Sequence, residues 1–300
     1  MLRAAVIAFS LLLPCSSFAQ PTQEQQIVLD GLYRFYVFMA QSEMKGFKRV
    51  VSPEEKALLD RVRISIDRNQ YNIAAVFATK DGDIPIISIS IGFLQASYAI
   101  NTAFIYEADQ AARTGKSPDL ENILDYIDYV ADSIGRTDYE SYLKWSDLNE
   151  EEIKAAATQL EKNEFGNANV GYTSFAFVLA HEIGHHVLGH VGVRTGEKEE
   201  AAADKYGIEL LLKAGYNPAL ASTTFILFNA INPHGTVPRI ARTHPEAYCR
   251  WMSLTLAGWK SVVEDQAFLA DMKAQGRESE IDKLNELGRS ITSSPTDCDK

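Results

Sequence analysis

The chain has 300 residues, of which 46% are hydrophobic, enough for one large or two small domains with a sizeable core. Lys and Arg number 29 against 40 Asp and Glu, a net charge of −11 at pH 7. That balance argues against nucleic acid and against anionic membrane surfaces as partners, because both need a basic face.

The N-terminus reads as a targeting segment. Arg3 supplies one positive charge, residues 4–13 form a short apolar run, and Ser17-Phe18-Ala19 places small residues at the −3 and −1 positions. The run is too short to cross a bilayer. We expect a signal peptide over residues 1–19, cleavage after Ala19, and an exported protein, periplasmic or secreted. No later stretch approaches 18 consecutive apolar residues, so no membrane span is expected after signal removal. Cys15 follows Leu13-Pro14, a poor lipid-attachment context. Its removal leaves Cys249 and Cys298, an even number suited to an oxidising compartment. A bridge between them would tie down the polar tail around Ser293-Ser294-Pro295. The alternative is two unpaired thiols.

Residues 20–71 read as an N-terminal helical region. Val28, Leu32, Phe35 and Met39 repeat at helical spacing, widened by Leu29, Tyr33 and Tyr36. Ser52-Pro53-Glu54-Glu55 is a second helix start, with Ser52 as cap. Residues 72–93 change period. Ile73 to Ala78 and Ile84 to Ile91 flank Asp81-Gly82-Asp83, which predicts a strand pair with a tight turn. Ile87, Ile89 and Ile91 alternate with Ser88 and Ser90, the pattern of a half-buried edge strand. From Gly92 to Asn163 the reading is helical, broken near Gly115-Lys116-Ser117-Pro118 and Gly135. Tyr126, Tyr129, Tyr139 and Tyr142 in this stretch suit either a cleft lining or a core cover. Residues 164–169 read as a loop. Gly215-Tyr216-Asn217-Pro218 ends one helix and starts another, residues 232–238 form a loop, and residues 246–290 supply two or three closing helices.

The chemistry is concentrated in His181-Glu182-Ile183-Gly184-His185, an H-E-x-x-H run behind an apolar helix (Tyr172 to Ala180). Residues four apart share a helix face, so both imidazoles converge as metal ligands. Glu182, turned slightly around the helix, can reach a water at the metal as a general base. His190, five residues beyond His185, is read as a helix-end residue. The third ligand is expected from Glu199-Glu200-Ala201-Ala202-Ala203-Asp204. Glu200 binds while Asp204, one turn on, orients a ligand histidine. Glu199 is the fallback, and both glutamates also suit a helix N-terminus.

With Glu-x-x-x-Asp following His-Glu-x-x-His, the sequence resembles the gluzincin zinc peptidases. Its HEIGHHVLGH and EAAADKYG segments are similar to those of the CAAX prenyl protease-like family and its soluble periplasmic relatives. The resemblance covers roughly residues 75–255 and includes Thr243-His244-Pro245 followed by Arg250. It implies a mainly helical gluzincin-type fold with a small β-sheet, a metallopeptidase domain over residues 72–258, and C-terminal helices and tail over 259–300. It implies one Zn²⁺ per chain held by His181, His185 and Glu200, with Asp204 behind them. His244 is implied as a transition-state donor or blocking ligand, with Arg250 supporting it. An edge strand pairing with extended substrate is also implied, an ordinary hairpin being the alternative. The expected activity is endoproteolysis of polypeptides such as unfolded or misassembled envelope proteins. The rival reading is a binding or chaperone-like factor whose zinc site is blocked by His244.

Overall fold

The computed structural model describes residues 23–69, 76–117, 119–133, 140–162, 167–193, 196–221, 224–225 and 247–279, with scattered residues between 281 and 289. The fold is mainly helical with one three-stranded sheet. Helix α1 spans Gln23–Phe47 and α2 spans Pro53–Leu59. Strands β1 (Arg63–Asp67), β2 (Val76–Asp81) and β3 (Ile84–Ser90) follow, then helices α3 (Ile91–Thr114), α4 (Leu120–Ser133), α5 (Tyr142–Trp145) and α6 (Glu150–Lys162). The remaining elements are α7 (Asn167–Val187), α8 (Glu197–Lys213), a 3-10 turn at Pro218–Ala221, α9 (Ala247–Val263) and α10 (Gln266–Ala274).

Ser52 caps α2 as the sequence indicates. Its hydroxyl accepts from Glu55 N while the Glu55 carboxylate accepts from Ser52 N. The buried stripe of α1 runs through Leu29, Tyr36, Met39, Ala40, Met44 and Phe47, whereas Phe35 of the expected stripe is exposed. Residues 63–67 are a strand rather than part of the expected helical region. Their alternation, Arg63-Ile64-Ser65-Ile66-Asp67, has period two, but five residues are a weak signal beside a 25-residue helix.

The sheet order is β1-β3-β2, with β1 parallel and β2 antiparallel to β3. β3 is therefore the central strand, not an edge strand. Alternation reports which face is buried and carries no information about lateral neighbours. Ile87 and Ile89 are fully buried, while the opposite face carries Ile84, Ile86 and Ser88 only half-buried. Gly82 takes φ +56° at the first position of the two-residue hairpin loop, where a side chain would be strained. Ser90 then caps α3 by accepting from Phe93 N.

Tyr126, Tyr129, Tyr142 and Trp145 form a ring cluster between α3, α4 and α5, with centroids 4.9–6.2 Å apart. Tyr142 donates to Glu107 at 2.6 Å and accepts from Asn122. Tyr126 and Tyr142 are fully buried, so they cover the core and line no cleft; Tyr139 lies outside the described residues.

Among the described residues helices α7 and α8 share the most extensive contact between elements, and small residues allow it. A Cβ on Gly184 would lie 3.2 Å from the backbone of Ala203, and one on Gly207 would lie 3.2 Å from His181 N. Neither backbone atom can rotate away. Tyr206 of α8 donates to Glu55 of α2, and Tyr216 donates to buried Glu43 of α1, so the pair is tied to the N-terminal helices. Gly207→Val should force α7 and α8 apart. We expect destabilisation of about 1–3 kcal/mol, the usual cost of overpacking. Thermal unfolding checks this, and an unchanged melting temperature would contradict the packing described.

Candidate metal centre

Helix α7 is apolar and buried from Phe175 to Ala180, and it continues into the H-E-x-x-H run without a break. It begins at Asn167, earlier than the loop expected over residues 164–169 allows. His181, Glu182, His185, Glu200 and Asp204 are all buried. His181 Nε2 lies 3.1 Å from His185 Nε2 and 3.2 Å from Glu200 Oε2, and Glu200 Oε1 is 3.5 Å from His185 Nε2. Donors each about 2.0–2.1 Å from a tetrahedral ion sit about 3.3 Å from one another. The three side chains therefore match one face of a tetrahedral metal site, and they are a group able to hold a metal ion. Glu199 is not in that group. Its carboxylate accepts from Gly196 N at the start of α8, a capping role.

Electrostatics support the same reading. Three buried carboxylates, Glu182, Glu200 and Asp204, face one buried cation, Arg250. When all three are ionised, two negative charges are in excess, which a divalent cation would balance. Burial alone would push the His181 imidazole down. The carboxylates of Asp204 and Glu200 outweigh it and hold His181 up at about 9, so the pocket favours positive charge.

Each ligand histidine is gripped through its other nitrogen. His181 Nδ1 is 2.8 Å from Asp204 Oδ1. Asp204 is gripped in turn by Arg250, whose Nε and Nη2 donate to its two oxygens at 2.6 and 2.7 Å. Burial pushes Asp204 up, but Arg250 and His181 outweigh it and bring the carboxyl below its ordinary range. The Arg250 guanidinium also stacks over Phe225 at 4.5 Å. Arg250 thus reaches the centre through Asp204 and His181.

The second histidine has a partner that sequence spacing did not reveal. His185 Nδ1 lies 3.1 Å from His190 Nδ1. On a continued helix the two rings would diverge. Instead Gly189, at φ +74°, turns the chain back. His190 N donates to His185 O and Gly189 N to His186 O, a Schellman closure of α7. The glycine after the motif was the available signal. His186 faces the other way and donates from Nε2 to Ile86 O at 3.0 Å, pinning α7 to the central strand.

Glu182 projects beside the two ligand histidines and accepts from the Ala78 backbone N–H of β2. Burial holds its carboxyl above the ordinary range against the pull of both imidazoles. Thr243, His244 and Pro245 lie outside the described residues. Cys249 is disulfide-bonded, and the tail bearing Cys298 is likewise outside the described residues.

A model of the peptidase U49 family matches residues 88–254, more than half of the chain. The chain belongs to that family. The matched span contains every residue of the centre and the whole of α7 and α8. No curated protein matches the chain. No solved structure matches it either.

The geometry ranks the histidines. With Zn²⁺ as probe in calorimetry, His185→Ala should abolish stoichiometric binding and His186→Ala should leave it intact. His190→Ala should still bind one ion at saturation but with about 10–100-fold lower affinity, the usual effect of losing the group that orients a ligand histidine. Equal losses in all three variants would overturn the assignment.

Proposed function

We propose that this peptidase is a zinc-dependent endopeptidase of the gluzincin type, resembling the CAAX prenyl protease-like family, that acts on polypeptides after export. The observation that carries the reading is the spacing of His181, His185 and Glu200 with Glu182 beside them. Two imidazoles and a carboxylate are a catalytic zinc donor set, and a structural zinc site has no use for the fourth residue.

Zinc bound there would supply a Lewis acid and acidify a water molecule. Glu182 accepts the proton as the water oxygen attacks the scissile carbonyl carbon. When the C–N bond breaks, Glu182 delivers that proton to the leaving amine nitrogen. Its position in a buried pocket, with its carboxyl held high, suits a base that must both take and return a proton near neutral pH. Asp204 and Arg250 keep the His181 ring oriented and its Nδ1 proton in place.

The outer edge of β2 offers the substrate a partner. The hairpin closes at Asp81 and Ile84, so the ladder bonds fall on Asp81, Thr79 and Phe77. Val76, Ala78 and Lys80 turn their backbone groups outward, and Ala78 already meets Glu182 there. An extended peptide pairing along this edge would lie beside the base. Export is supported by the N-terminal apolar run and by the disulfide at Cys249. Among the described residues no helix is long and apolar enough to cross a membrane.

Glu182→Gln preserves shape and removes the base. Turnover of an unfolded protein substrate should fall by about 10²–10⁴ with zinc content unchanged. Undiminished turnover would place the chemistry elsewhere, and a wild type that binds zinc but cleaves nothing would favour a blocked centre. His244 is assigned by resemblance alone. If it is an oxyanion donor, His244→Ala lowers kcat by about 10²–10³, whereas removal of a blocking ligand raises it. No change would remove His244 from the centre.

A further inference from the structure

The sheet has a second edge, and its surroundings are unlike the first. β1 pairs with β3 on one side only, and on its other side no strand lies among the described residues. Ile64 and Ile66 stand in register with Ile87 and Ile89, so all four point to the same face of the sheet. Yet Ile87 and Ile89 are fully buried while Ile64 and Ile66 are only half-buried. Beyond them runs a groove of about 640 Å³ between β1 and α1. Its floor is Val62, Ile64 and Ile66 on the strand side and Tyr33, Val37 and Met44 on the helix side.

The rim has one sign. Lys45, Lys48, Arg49 and Lys56 line it, and no acidic side chain does. Lys48 and Lys56 both reach Asp60, at 2.9 and 3.0 Å. Lys45 and Arg49 are exposed and have no ion-pair partner among the described residues. The far end is closed by Arg68, which pairs with Asp30 and lies 4.8 Å over the Tyr33 ring. In a chain of net charge −11 this is a local reversal.

We propose that this groove docks an extended peptide segment of the substrate, added to β1 as a fourth strand, with apolar residues at alternate positions and acidic residues at one end. The geometry fits that occupant. A strand added about 4.8 Å beyond β1 would continue the sheet over the groove. Its side chains recur on one face about every 6.6–7 Å, matching the spacing of Ile64 and Ile66. Apolar ones would fill the floor, and acidic ones at the end of the segment, past the last paired residue, would meet Lys45 and Arg49. Backbone pairing gives hold without sequence demand, and floor and rim supply the selection. A segment docked outside β1 and a peptide paired outside β2 stand four strand spacings apart, about 19 Å, a distance that a few extended residues span, so one docked segment would raise the local concentration of neighbouring peptide bonds at the centre. The role as a substrate site rests on the peptidase reading; the binding itself does not.

The test is binding to the full chain carrying Glu182→Gln, read by fluorescence anisotropy. The probes are a labelled octapeptide of sequence Glu-Glu-Val-Ser-Ile-Ser-Val-Ser and its Lys-for-Glu counterpart. We expect the acidic peptide to bind at least about tenfold tighter than the basic one, and to weaken as ionic strength rises. Lys45→Glu with Arg49→Glu should cost about tenfold, and Val37→Trp, which fills the groove, should compete binding away. All three substituted positions are exposed or half-buried, and circular dichroism with thermal unfolding verifies the fold. Equal affinity for both peptides, insensitivity to both sets of substitutions, or no binding up to about 1 mM would overturn the proposal. So would binding to anionic phospholipid vesicles with none to the peptide. Failure of Glu182→Gln to reduce turnover in the activity assay would instead strike the catalytic reading and leave the docking result standing.

Discussion

The close approach of α7 and α8 is the constraint on which the centre depends. Gly184, Ala203 and Gly207 let the two backbones meet without intervening side chains. At that separation Glu200 and Asp204 reach the histidines of the opposite helix directly, where a wider gap would leave room for water. The consequence is a chain of contacts from Arg250 through Asp204 to His181, and from His190 to His185. Both imidazoles are held by their Nδ1 atoms, so both Nε2 atoms are left to meet at 3.1 Å. Two ring nitrogens that close, beside a carboxylate, are costly to bury without a proton or a cation between them. The packing of two helices thus creates a demand for positive charge, which a proton or a metal ion can meet.

The sheet is bound to this helix pair at two points rather than by general packing. His186 donates to the central strand at Ile86, and Glu182 takes the outward N–H of Ala78 on β2. Both residues belong to the same turn of α7 as the ligands. A shift of the sheet would therefore be felt by the base at once. This couples the edge that would receive a peptide to the group that would act on it.

The part of the centre that follows helical periodicity was legible in the sequence. His181, His185, Glu200 and Asp204 are each four residues from their neighbour on a helix, and period alone aligns them. Glu182 follows from its place between two ligands. What period cannot show is how two elements meet. The glycine contacts of Gly184 with Ala203 and of Gly207 with His181 join α7 to α8 across 19 and 26 residues of sequence. Arg250 meets Asp204 across forty-six residues, and nothing local in either segment announces it. His190 is the helix-end residue expected, but its contact with His185 was not legible, because it depends on the left-handed turn at Gly189 that ends the helix. In the sheet, the alternation of Ile87 and Ile89 identified a buried face correctly but could not place β3 in the middle. β1 was hidden because five alternating residues weigh little against the strong helical stripe before them.

Net charge proved a poor guide to local surface. A value of −11 spread over 300 residues says that the average face is acidic, and it sets how the molecule repels distant polyanions. Close contact is decided within about 8 Å, the screening length at physiological salt. Inside that radius the α1–β1 groove presents Lys45, Lys48, Arg49 and Lys56 against one Asp60. The metal centre is the converse case, an excess of carboxylate where burial removes screening altogether. One sheet therefore separates two environments of opposite sign, the carboxylate-rich centre beside β2 and the cationic groove beside β1. Because β3 fixes the register of both outer strands, the distance between the two environments is set by backbone hydrogen bonds and not by flexible side chains.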